Sequence, residues 1–98
     1  MTLDEFRASL SAPAPPAGIA PVVAALWHDA RGNWDEAHRL AQDVPDEEGG
    51  AWVHAYLHRK EGDEGNAGYW YQRAEQPVAR DTLEAEWTRI LTALLETR

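Results

Sequence analysis

The sequence predicts an all-α fold: two antiparallel helix-turn-helix hairpins with an N-terminal helix and a C-terminal capping helix. Three observations predict it. Apolar residues recur at i, i+3, i+4 and i+7 rather than in alternation, the period of one helix face. Twice a glycine suited to ending a helix is followed at once by a residue suited to starting one, at Gly32-Asn33 and Gly62-Asp63. Residues 21–44 also form a weaker copy of residues 51–74. With Pro21 set on Ala51, Val23 falls on Val53, Ala25 on Ala55, His28 on His58, Gly32 on Gly62, Ala37 on Ala67 and Gln42 on Gln72. Self-similarity at such a period marks stacked helical units.

Residues 1–10 read as a short helix. Thr2 and Glu5 have the spacing of a capping box, and Leu3, Phe6 and Leu10 form its stripe. A helix this short is marginal alone, so Phe6 is the expected anchor to the rest of the chain. Residues 11–18 read as a linker, because Pro13, Pro15 and Pro16 cannot continue a helix.

Hairpin 1 spans 19–44. Its first helix opens on Pro21, a favoured first-turn residue, and is apolar on nearly every side, which predicts burial. Asn33 and Glu36 have capping-box spacing before the second helix. Residues 44–50 are an acidic break in which Gly49-Gly50 lets the chain reverse.

Hairpin 2 spans 51–75. Ala67, Trp70, Tyr71 and Ala74 repeat the stripe of Ala37, Leu40, Ala41 and Val44. Gly65 and Gly68 interrupt its second helix at roughly 1 kcal/mol each against alanine, and close packing by a neighbouring aromatic is the expected reason. The capping helix is placed at 81–96, with Asp81 as N-cap and Glu84 as its box partner. Leu83, Trp87, Ile90, Leu91, Leu94 and Leu95 form a stripe expected to cover Trp70 and Tyr71 or to serve a homodimer.

The hairpins resemble the tetratricopeptide repeat. Gly32, Trp34 and Ala37 match the Gly, aromatic and Ala of that family's turn and second helix, and Gly62, Ala67, Tyr71 and Ala74 match in the second copy. The copies are shorter than the family's roughly 34 residues. Glu64 stands at the second copy's aromatic position, and His28 and His58 stand where an aromatic is usual. The chain also resembles a group of small bacterial proteins, a likeness that implies no activity. The tetratricopeptide resemblance implies a binding surface along the first helices, near Trp52, Tyr56, Arg59 and Lys60.

At 98 residues the chain is expected to be one domain, 1–98, with a modest core. Cysteine is absent, which removes disulfides, thiolate metal sites and cysteine catalysis. The formal net charge of −8 makes nucleic acid an unexpected partner. The first residues carry acids and lack the apolar run of a signal peptide, and no stretch approaches the length of a membrane span. A cytoplasmic protein is the expectation.

No nucleophile turn, phosphate loop or metalloprotease motif is present. The expectation is therefore a non-catalytic module with no cofactor, binding an unknown protein or peptide through Trp52, Tyr56, Arg59 and Lys60. Arginine would pair with a carboxylate and the aromatics would supply contact area. The plainer reading of Arg59-Lys60 is a basic last turn complementing the helix dipole.

The alternatives are a structural homo-oligomer built on the Trp87–Leu95 stripe and a small-molecule- or metal-binding protein built on His54, Tyr56 and His58. His54 and His58 are four residues apart and share a helix face, but no third ligand is specified, and packed or hydrogen-bonded histidines are the first expectation. Glu61 beside His58 is the one acid–base pair singled out. Of the aromatics Trp27, Trp34, Trp52, Tyr56, Tyr69, Trp70, Tyr71 and Trp87, one or two are expected to stay exposed.

Overall fold

One helix is buried along most of its length and the others assemble around it. The computed structural model describes residues 1–96. It comprises α1 (Leu3–Ser9), α2 (Pro21–Ala30), α3 (Trp34–Gln42), a 3₁₀ turn (Asp46–Glu48), α4 (Gly50–Lys60), α5 (Glu64–Ala74) and α6 (Leu83–Glu96). Among the described residues there is no strand, and no helix is long and apolar enough to cross a membrane. Helix α4 is the buried one: Gly50, Ala51 and every residue from Val53 to His58 are removed from solvent. It packs against α5, α3, α6 and α2. Helix α2 packs chiefly on α3, and α4 chiefly on α5.

The turns within these two pairs share their backbone. Gly32 and Gly62 have φ of 82° and 92°, a region that costs a side chain dearly. Asn33 and Asp63 then cap the next helix, accepting from the amides of Glu36 at 3.3 Å and Asn66 at 3.2 Å. Glu36 does not complete a capping box. Its carboxylate turns outward to Arg39, one turn on. Gly50 answers a different demand, because an added Cβ would collide with the carbonyl oxygen of Val44.

The ends are tied to the centre. Thr2 and Glu5 form the reciprocal capping box of α1. Phe6 is fully buried, its ring centroid 6.0 Å from that of Trp87 on α6. Burying a side chain of that size contributes roughly 1.5–3 kcal/mol, which offsets the ordering of a one-to-two-turn helix. Arg7 adds a 2.7 Å hydrogen bond to the Thr88 hydroxyl. The segment after α1 is held by Trp27, whose Nε1 donates to Ser9, and by Arg31, which donates to the carbonyls of Leu10 and Ala12.

Helix α6 begins one residue later than its acidic cap suggests. Thr82 is the N-cap, its hydroxyl accepting from Ala85 N at 3.0 Å, and Asp81 instead pairs with Arg89. The stripe of α6 faces inward: Trp87, Ile90 and Leu91 are buried, and Leu83, Leu94 and Leu95 are partly buried against the same cluster. The stripe covers neither Tyr71, which meets α6 only through Glu86 and packs with Ala55 and Ala67, nor Trp70, which turns toward α4 and stacks on His54. Gly65 and Gly68 have open space where a Cβ would stand, so no aromatic packs on them.

Candidate functional site

Three imidazoles converge at the α3–α4 contact, His54 and His58 buried and His38 half-buried. His38 comes from α3, and His54 and His58 come from successive turns of α4. One ring nitrogen from each lies within 4.8 Å of the other two. Nε2 of His38 and Nε2 of His54 are 2.9 Å apart, so one donates and the other accepts. Two indoles hold the rings in place. Trp34 stacks on His38 with centroids 4.9 Å apart, and Trp70 stacks on His54 at 4.0 Å. Trp34 is itself fixed, because its Nε1 donates to the Leu57 carbonyl at 2.8 Å.

The third ring has a carboxylate behind it. His58 Nδ1 lies 2.7 Å from Glu61 Oε2, so that nitrogen donates. In the neutral ring Nε2 then carries the lone pair and is the nitrogen left to bind a metal. A carboxylate that orients the far nitrogen of an imidazole is the usual support of a metal-ligating histidine. Asn66, in the first turn of α5, approaches the same Nε2 with its amide nitrogen at 3.4 Å.

The cluster is electrically quiet. Burial, followed by the neighbouring His38 and His58, pushes the His54 imidazole down to about 4. Burial and His58 also lower His38. At neutral pH both rings are therefore uncharged, the form that binds metal. Tetrahedral zinc at 2.0–2.1 Å from each nitrogen would set the nitrogens about 3.3 Å apart. The 2.9 Å edge must open by a few tenths of an ångström and the others close by no more than about 1.5 Å. Rotations about side-chain torsions supply such shifts.

The sequence-derived site residues go to different places. His54 and His58 lie together, but His38, which joins them, has no signal in the repeat: its counterpart in the second copy is Gly68, and that of His54 is Ala24. A hint existed in Trp34 and His38, four apart on the helix flanking the same turn. His28, the counterpart of His58, sits edge-on to Trp27 and takes no part.

Trp52, Tyr56, Arg59 and Lys60 do not form one surface. Tyr56 is buried, its hydroxyl donating to Asp29 at 2.9 Å. Lys60 pairs with the other oxygen of Asp29 at 2.9 Å. Arg59 pairs with the fully buried Glu86 at 2.7 Å and also donates to the Asp81 carbonyl. The hydroxyl of Tyr71 donates to the other oxygen of Glu86 at 2.5 Å. Burial and the adjoining carboxylates raise both tyrosines far above the usual range.

Trp52 alone of the four lines a groove of about 780 Å³, together with Val22, Val23 and Leu94, the acids Glu47 and Glu48, and Asp46 paired with Arg73. Lys60 and Tyr56 instead border a separate cavity of about 390 Å³ beside Trp87. Tyr69 is the exposed aromatic, half open to solvent under Arg73. Comparison with protein-family models, curated proteins and solved structures finds no match to the chain.

Proposed function

We propose that the protein binds a divalent transition metal through His38, His54 and His58. The observation that carries this reading is the meeting of three imidazole nitrogens from two helices, one ring backed by Glu61. All-imidazole donors suit zinc, copper, nickel or cobalt and not calcium or magnesium, which take oxygen. In the metal-free chain the His38–His54 hydrogen bond satisfies the site. On binding, the proton between them moves to an outer nitrogen and both inner lone pairs face the metal.

Calorimetric titration of untagged protein with zinc is the test. One equivalent should bind, and His38→Ala should abolish binding while the helical circular dichroism stays unchanged. Glu61→Gln should weaken affinity about 10–100-fold, as loss of a supporting carboxylate does. Zinc binding that His38→Ala leaves intact overturns the reading.

The proposed arrangement around the site is two tetratricopeptide-like hairpins, α2–α3 and α4–α5. Its support is the shared pair of left-handed glycines with capping Asn33 and Asp63. A protein-docking role has its own support in the Trp52 groove. Its apolar residues and the acids Glu47 and Glu48 suit a peptide carrying apolar and basic side chains. A basic-apolar peptide should lose affinity on Glu47→Lys with Glu48→Lys in an anisotropy titration, and equal binding would exclude the groove.

A further inference from the structure

Resting on the metal reading, we infer that the site keeps one coordination position for a small exogenous anion, a hydroxide or a monodentate carboxylate, and that Asn66 donates a hydrogen bond to it. Three side chains supply the protein ligands. Among the described residues, no carboxylate or further imidazole joins His38, His54 and His58. Glu61 and Asp63 do gather near His58, but Glu61 engages Nδ1, which leaves Nε2 as the lone-pair nitrogen of that ring. A four-coordinate metal held by three protein nitrogens leaves its fourth position to solvent or substrate, the pattern of catalytic rather than structural zinc.

The open position has an identifiable direction. Trp34 and Trp70 lie against the faces of His38 and His54 and occupy the flanks. Asn66 is exposed and its amide nitrogen is 3.4 Å from His58 Nε2, so it stands at the mouth. Once a metal takes that lone pair, the amide loses its acceptor. Its N–H groups then point beside the metal, where a bound anion would accept from them. The residue is firmly based, since its backbone amide donates to Asp63 at 3.2 Å.

Cobalt provides the readout, since its visible absorption reports coordination number and the identity of the fourth ligand. The protein is loaded with one equivalent of cobalt and titrated with azide, then with acetate. Saturable changes in the cobalt bands are expected with both. Asn66→Ala should weaken azide binding about tenfold, the scale of one hydrogen bond to a charged acceptor, with cobalt affinity unchanged. If no cobalt binds, the metal reading itself falls. If cobalt binds and neither anion alters its bands, the site is closed and this inference is overturned. Azide affinity equal in Asn66→Ala and wild type removes Asn66 from the role.

Discussion

Arg59 reaches from the last turn of α4 to Glu86 on α6, Nη1 to Oε1 at 2.7 Å, and Glu86 is wholly shielded from water. A carboxylate in that position depends on its cation. Removing one partner of a buried pair typically costs about 3–5 kcal/mol, because the other charge is stranded. Arg59→Ala should therefore lower the urea midpoint severely, and Glu86→Gln, which leaves no buried charge behind, should cost less. Equal unfolding curves for Arg59→Ala and wild type would return Arg59 to the surface as a candidate for docking.

The second buried carboxylate predicts a graded response. Asp29 accepts from Tyr56 on one oxygen and Lys60 on the other. The tyrosine contact is fully enclosed, and a hydrogen bond to a charged group contributes about 1.5–3 kcal/mol. Lys60 is partly exposed and its pairing is weakened by solvent. Its loss nonetheless strands the buried Asp29 charge, so Lys60→Met should lower stability at least as much as Tyr56→Phe, as thermal melts of the two variants would show.

The histidine cluster makes the metal-free protein acid-sensitive. His54 takes up its proton near 6.5 when unfolded but near 4 when folded. A depressed folded value means the unfolded chain binds the proton first, so stability falls as pH drops from 6.5 and levels out below 4. The loss attributable to His54 is about 3 kcal/mol at most. His38, displaced in the same direction, adds to it. Urea unfolding in chelator at pH 7 and pH 4.5 would measure the effect, and His54→Gln should flatten it. A wild-type curve unchanged between these pH values would show that His54 does not titrate in this way.

Glycines in equivalent settings should answer alanine differently. Gly65 and Gly68 lie in α5 with nothing near a prospective Cβ. Alanine at either should stabilise the protein by about 0.5–1 kcal/mol through helix propensity. Gly50 opens α4 against the Val44 carbonyl, and Gly50→Ala should destabilise strongly. Calorimetric melts that shift the same way for all three would contradict the packing at Gly50.

The helices were legible where local chemistry decides. Gly32 and Gly62 with their Asx caps, the Thr2–Glu5 box, Phe6 as anchor and the α6 stripe all follow from neighbours within a few residues. What was missed depends on partners far along the chain. Glu86 lies three residues beyond Leu83 within an apolar stripe, a visible oddity whose meaning depends on Arg59 and Tyr71 from two other helices. Arg59 and Lys60 look like free cations because their carboxylates come from α6 and α2. His38 was separated from His54 and His58 for the same reason: helical periodicity orders a single face and is silent on which faces meet.

The contact of Phe6 with Trp87, and of Arg7 with Thr88, joins the first helix to the last. In an open stack of helical pairs, each unit touches only its neighbours and the array can melt from one end. Here the two ends share side chains, and α6 packs in turn on α4 and α2. Loss of α1 would expose Trp87, whose indole nitrogen also donates to Leu26. Fraying at either end thus strips contacts from the middle. The amides of α1 and α6 should exchange with solvent together, in one cooperative opening, instead of peeling away in sequence order.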